Sequence, residues 1–195
     1  MNEIMQNLLE GNKRFLSGLT IPKVVDKRLA LITGQNPIAI VLCCSDSRVP
    51  TEMVFDADFG ELFVVRIAGN IVAPSIVGSI EYAITKFSIK NIIVLGHSDC
   101  GAILTTLDCI INNKILLSDN LKDIVERISP SIIEIAKCDD INIDNKKLMA
   151  TRSNILASVN QLRHASKILE NKITCNDISI YGAIYDISTG LITIL

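Results

Sequence analysis

Ile38-Ala39-Ile40-Val41-Leu42-Cys43-Cys44 runs straight into Ser45-Asp46-Ser47-Arg48-Val49-Pro50, and that junction decides the fold. Seven consecutive apolar residues after Pro37, most of them aliphatic, show no alternation of polar and apolar positions. Residues 38–43 therefore read as a strand buried on both faces, the pattern of a parallel sheet covered by helices. The same junction recurs at Asn91-Ile92-Ile93-Val94-Leu95-Gly96, where a strand over 91–95 breaks into His97-Ser98-Asp99-Cys100-Gly101. Residues 62–67 read as a third strand buried on both faces. Residues 75–87 carry a helical pattern, with Ser75 as candidate N-cap. Strands alternating with helices predict a parallel sheet with helices on both sides.

Outward from this centre, residues 2–17 place Ile4, Met5, Leu8, Leu9, Phe15 and Leu16 at amphipathic helical spacing, with Gly18 as the stop. A short helix is expected over 26–33, closed by Gly34. Residues 118–138 read as helical, with Pro130 expected to kink or split them. Residues 145–171 form the longest helical pattern. The chain closes with a strand over 178–187, a Ser188-Thr189-Gly190 turn and a strand over 191–195, a hairpin. The expected architecture is α/β: a mostly parallel central sheet flanked by helices, with a C-terminal antiparallel hairpin strand and an N-terminal helical arm. No repeat, low-complexity segment or linker interrupts residues 1–195, which read as one domain.

Composition narrows the function. Of 195 residues 49% are hydrophobic and mean hydropathy is +0.39. No apolar run approaches the roughly 20 residues of a membrane span, so the excess points to a subunit interface. Net charge is −2, no basic stripe is present, Trp is absent and aromatics make up 4%, which argues against nucleic-acid binding. The first residues do not resemble a secretory signal, so a cytoplasmic setting with its six cysteines reduced is expected.

Both polar clusters follow strands, and ligands of open α/β sheets bind at the carboxyl ends of strands near a switch in strand order. Cys44, His97 and Cys100 offer two thiolates and an imidazole, a donor set suited to Zn²⁺. Three protein ligands leave a fourth tetrahedral position for water, the arrangement of a catalytic zinc site. Gly101 leaves a backbone N–H unshielded beside it, a candidate substrate contact. Arg48 presents a planar fork to the Asp46 carboxylate. Paired, Asp46 would orient a hydroxide on the metal; unpaired, it could become a fourth ligand and close the site. Cys43, Cys109, Cys138 and Cys175 read as packing residues, and His164 as a surface or interface residue.

Cys44-Ser45-Asp46-Ser47-Arg48-Val49-Pro50 and Gly96-His97-Ser98-Asp99-Cys100-Gly101 resemble the two signature motifs of β-class carbonic anhydrases. The likeness extends to Leu8-Leu9-Glu10-Gly11-Asn12-Lys13-Arg14-Phe15, Phe63-Val64-Val65-Arg66-Ile67-Ala68-Gly69-Asn70 and Tyr185-Asp186-Ile187-Ser188-Thr189-Gly190. The resemblance implies reversible hydration of CO₂ to bicarbonate, one zinc per chain on Cys44, His97 and Cys100, and the Asp46–Arg48 dyad. It also implies a homodimer or homotetramer, with the N-terminal helix reaching onto the partner. Two departures stand out. The segment 55–61 lacks the Gln that some members use to hold substrate, and carries Asp58. No Trp precedes the first zinc cysteine, where Val41 lies, so an inhibitory bicarbonate site beside Arg66 is not expected. Because two thiolates neutralise the metal charge, the bound water should ionise above the ~7 of a three-imidazole site, and activity should rise toward alkaline pH. Rival readings are a CS₂ or COS hydrolase on the same site and a non-catalytic zinc-stabilised redox or structural protein.

Overall fold

A computed structural model of the chain describes residues 1–21, 27–116 and 118–195. Its centre is a five-stranded sheet in the order β2-β1-β3-β4-β5. The strands are β1 (Ala39–Cys43), β2 (Leu62–Arg66), β3 (Asn91–His97), β4 (Ser179–Tyr185) and β5 (Ile192–Ile194). β1 to β4 are parallel, and β5 returns antiparallel to β4 through Asp186–Leu191. Every residue of β1 and β3 is buried, as a strand with neighbours on both edges and helices on both faces requires. β2 departs from expectation: it is the sheet edge, and only Leu62 and Val65 of its five residues are buried.

Side-chain alternation divides the core. Ile40, Leu42, Ile92 and Val94 face one side, under α4 (Pro74–Phe87), α7 (Ile143–Arg163) and α8 (Lys167–Thr174). Ala39, Val41, Cys43, Ile93 and Leu95 face the other, where Met5 and Leu8 of α1 (Glu3–Leu16) and Val54 of α3 (Thr51–Val54) pack. At the carboxyl end of the strands, α5 (Gly101–Ile111) and α6 (Asp119–Lys137) build a third cluster from Ile103, Leu107, Ile128 and Ile132. The short helix expected over 26–33 is present as α2 (Lys27–Ala30); Asp26 lies outside the described residues.

Local chemistry explains the boundaries. α1 starts where Asn2 Oδ1 accepts from the Met5 N–H, and ends before Gly18, whose φ of 69° suits glycine. α4 begins two residues earlier than an N-cap at Ser75 would set: Ala73 is the N-cap, and Pro74 takes the first turn, where its missing N–H costs nothing. Pro130 does not split α6, because Ile128 and Ile132 on either side are fully buried and hold the helix on the core. The long pattern over 145–171 divides after Arg163, and Ser166 caps α8 by accepting from the Leu169 N–H. The hairpin is as read: Asp186 Oδ1 accepts from the Ser188 N–H and hydroxyl, and Gly190 at φ 76° closes the turn.

Candidate metal centre

β1 connects to β2 on one side and β3 connects to β4 on the other, so connections leave these two adjacent strands in opposite directions. The crevice between the carboxyl ends of β1 and β3 is the switch point at which such sheets bind ligands. Cys43 pairs with Leu95 in register, which sets Cys44 beside the Gly96–His97 end of β3. Cys100 follows one turn later at the N-cap of α5. One donor atom from each of Cys44, His97 and Cys100 lies within 4.8 Å of the others, and all three residues are buried. The two Sγ atoms are 3.9 Å apart.

His97 Nδ1 lies 2.9 Å from the Ser98 carbonyl, which can only accept, so Nδ1 carries the proton and the Nε2 lone pair is free. Nε2 is buried with no hydrogen-bond partner among the described residues. A buried, unpartnered acceptor is costly by itself. With two thiols at hand, this one completes a donor set that fits zinc.

The thiols share a proton when no metal separates them. Cys44 is drawn down to about 4, chiefly by the hydrogen bond from Cys100, with help from the Gly69 and Asp46 backbone N–H groups and against burial. Cys100 is pushed up by donating that bond and by burial, while the N–H groups of Ile103 and Ala102 at the start of α5 oppose the rise. Metal binding requires both as thiolates and therefore releases that proton.

Asp46 and Arg48 are paired. Arg48 Nε donates to Oδ1 at 3.0 Å and Nη2 to Oδ2 at 2.8 Å; the Arg48 backbone N–H adds a bond to Oδ1 at 2.9 Å. The guanidinium fork holds the Asp46 carboxyl far below the usual carboxylate range. Asp46 Oδ2 is 3.9 Å from His97 Nε2, so the carboxylate borders the donor cluster while bound to Arg48.

Supports that the sequence reading did not identify surround this constellation. Arg66 donates from Nε to the Cys44 carbonyl (3.1 Å) and from Nη2 to the Asp46 carbonyl (2.6 Å), fixing the loop that carries both side chains. The Gly69 N–H points at Cys44 Sγ, at 3.4 Å. From α7, Asn154 Nδ2 donates to the Gly69 carbonyl and the Ser158 hydroxyl to the Asn70 carbonyl. Ser98 is itself held: its N–H donates to the Tyr185 carbonyl, and its hydroxyl accepts from the Ile187 N–H. One signal was available: Asn154 and Ser158 are four apart and polar on the buried stripe of a helix.

The remaining sequence candidates fall as follows. Gly101 is the first residue of α5, exposed, with open space where a Cβ would stand. Asp58 is buried and 2.6 Å from Lys27 Nζ. Cys43 is core, on Thr51 Oγ1 at 3.2 Å. Cys109 and Cys138 are partly buried. Cys175 is exposed at the C-cap of α8, which corrects its reading as a packing residue. His164 is exposed at the C-cap of α7.

A sequence profile described as carbonic anhydrase matches residues 39–192. Carbonic anhydrase 2 of Mycobacterium tuberculosis is 35% identical over 186 residues, covering 94% of this chain and 87% of its own. Among solved structures, the β-carbonic anhydrase CcaA superposes with a TM-score of 0.76 at 28% identity, over 97% of this chain and 94% of that one. A structure from Sordaria macrospora, described as one of two tetrameric β-carbonic anhydrases, superposes with a TM-score of 0.76 at 22% identity, over 98% and 93%.

Proposed function

The chain belongs to the β-carbonic anhydrase family, and we propose that it catalyses the zinc-dependent reversible hydration of carbon dioxide to bicarbonate and a proton. The observation that carries this reading is the convergence of Cys44, His97 and Cys100, with an unpartnered His97 Nε2, beside an Asp46 held by Arg48. Cys44, His97 and Cys100 would hold the zinc. When bound, it supplies the Lewis acidity that makes water a nucleophile near neutral pH.

The chain's own residues do the rest. The bidentate Arg48 keeps the Asp46 carboxylate ionised and turned so that Oδ2 borders the donor cluster. From there it accepts a hydrogen bond from the attacking water and aims the opposite lone pair at the substrate carbon. The exposed N–H at Gly101 is the proposed contact for a product oxygen, at the positive end of α5. Ile71 and Ile103 pack against Cys44 and Cys100, giving the cluster an apolar surround in which electrostatic effects are strengthened.

Stopped-flow CO₂ hydration on zinc-loaded protein tests the proposal. Turnover should require zinc, climb from neutral to alkaline pH, and fall about 10²–10⁴-fold in Asp46→Asn, the range for a positioned proton-handling group. Full activity in Asp46→Asn would sink the assigned role. Parallel rates on CS₂ and COS decide the substrate, with CO₂ expected to be fastest. Zinc bound one per chain without turnover at any pH would favour the structural reading.

Exposed apolar side chains such as Leu19 (72%), Ile32 (78%) and Ile115 (84%) support a homodimer or homotetramer, checked by light scattering. A reducing compartment such as the cytoplasm suits a site built on two thiolates. Among the described residues, no helix is long and apolar enough to cross a membrane.

A further inference from the structure

Cys44 Sγ does not meet the donor cluster bare. The Gly69 N–H is directed at it from 3.4 Å, and Gly69 belongs to a tight turn, Ala68–Asn70, in which it adopts φ 69° and Asn70 φ 45°. Such a turn needs external anchors to keep one N–H on one sulfur. Both anchors come from α7. Asn154, 3% exposed, donates from Nδ2 to the Gly69 carbonyl at 2.9 Å; Ser158, 2% exposed, donates from its hydroxyl to the Asn70 carbonyl at 3.0 Å. α7 is in turn seated on the strand that ends in His97, through Ile155 against Gly96. One helix therefore bears on two of the three donors by separate routes.

We propose that Asn154 is a positioning residue for the metal centre: through the Gly69 carbonyl it holds the Gly69 N–H on Cys44 Sγ and so sets how much charge that thiolate gives the metal. An N–H donated to a thiolate draws electron density from sulfur and weakens its donation. Losing it makes the sulfur a stronger donor and a less well-placed one. Groups that orient a ligand from outside typically change metal affinity about 10–100-fold when removed. Asn154 suits this task because its carboxamide spans from a packed helix to the Gly69 carbonyl, at 2.9 Å.

The inference rests on Cys44 being a metal ligand, and its test separates the two. The full chain is loaded with Co²⁺, and the thiolate-to-cobalt charge-transfer band is recorded for the native protein, Asn154→Ala, Ser158→Ala and Val159→Ala. Val159 is buried on the same helix, in the cluster over β1 and β3, and makes no hydrogen bond to the Ala68–Asn70 turn; its truncation reports general loosening. Zn²⁺ affinity is measured in parallel by chelator competition.

Asn154→Ala should move the band to lower energy and weaken zinc about 10–100-fold. Ser158→Ala should do so in the same direction and to a smaller extent, and it serves if Asn154→Ala does not fold. Val159→Ala should leave the band in place. A native band that neither Asn154→Ala nor Ser158→Ala shifts overturns the positioning role and leaves Cys44 as a ligand. Absence of a thiolate band in the native protein overturns the ligand assignment, and the inference with it.

Discussion

Replacing Gly96 by alanine tests whether α7 seats the strand end that presents His97. A Cβ built at position 96 falls 2.5 Å from Ile155 Cδ1 and 2.6 Å from Ile155 Cγ1. Carbon atoms in contact prefer about 3.5–4.0 Å, so roughly 1 Å must be found. Cδ1 can swing about χ2, but Cγ1 cannot leave, because a β-branched residue in a helix keeps one χ1 rotamer. Ile155 is fully buried and cannot retreat into solvent. Overpacking of this kind costs about 1–3 kcal/mol, offset in part by the roughly 0.5–1 kcal/mol that alanine gains over glycine within a strand. The expected net loss is about 1–2 kcal/mol. In an Ile155→Ala background, which itself costs about 2–5 kcal/mol, the obstructing atoms are gone. There the same Gly96→Ala change should be neutral or stabilising by up to about 1 kcal/mol. The sign of one substitution thus depends on a residue on another element, a coupling of about 2 kcal/mol between side chains in contact. Urea unfolding of the four proteins in excess chelator measures it without the contribution of bound metal. An equal cost of Gly96→Ala in both backgrounds, within about 0.5 kcal/mol, refutes the seating.

Asn12 is 2% exposed, donates to the Val54 and Gly190 carbonyls and accepts from the Ile192 N–H, docking α1 on its own chain. Asn12→Ala should cost about 2–3 kcal/mol in urea unfolding, since two buried backbone groups and a part-buried one lose partners at once; a change under about 0.5 kcal/mol would remove Asn12 from the docking. Asp186 is held below the ordinary carboxylate range, first by the Ser188 hydroxyl and then by the Ser188 and Thr189 N–H groups. Its folded value lies below its unfolded one, so its contribution is complete above the unfolded value of about 3.9 and is lost as pH falls through the folded value. The stability gap between native protein and Asp186→Ala should therefore be level above about pH 5 and shrink below about pH 4; a gap that widens on acidification would contradict this. Bicarbonate should inhibit with a simple hyperbolic dose response, because Arg66 is engaged on the Cys44 and Asp46 carbonyls and Val41 is fully buried. A sigmoidal response would show a second bicarbonate site.

The strands were legible where burial and sequence say the same thing. The apolar runs leading into Cys44 and His97 have no polar alternation, and β1 and β3 have no exposed residue. β2 carries similar residues yet sits at the edge, because strand order depends on the crossover from β2 to β3 and not on composition. α5 escaped reading for a different reason. Gly101–Ile111 is apolar or β-branched around most of its circumference, so no stripe stands out, and its N-cap is Cys100. A cap residue committed to the donor cluster gives none of the usual start signals. Pro130 misled in the opposite sense: the cost of a missing intrahelical hydrogen bond is local, and Ile128 and Ile132 outweigh it from the core.

The donor residues announced themselves because each lies at a strand end, and a parallel sheet brings strand ends together whatever the intervening chain contains. Cys44 and Cys100 are 56 residues apart in sequence, yet their Sγ atoms lie at 3.9 Å with β1 and β3 as immediate neighbours. The groups that tune them follow no such rule. Asn154 reaches Gly69 across 85 residues, Ser158 reaches Asn70 across 88, and the Ile187 N–H reaches the Ser98 hydroxyl across 89. Each depends on how far a helix slides along the sheet, or on where a hairpin turns. Those quantities are set by side-chain packing such as Ile155 on Gly96, and no local pattern encodes them. The chemistry of this family can therefore be read from two short stretches of chain. The strength of the centre depends on polar residues on the buried face of α7, where a purely structural account would expect leucine.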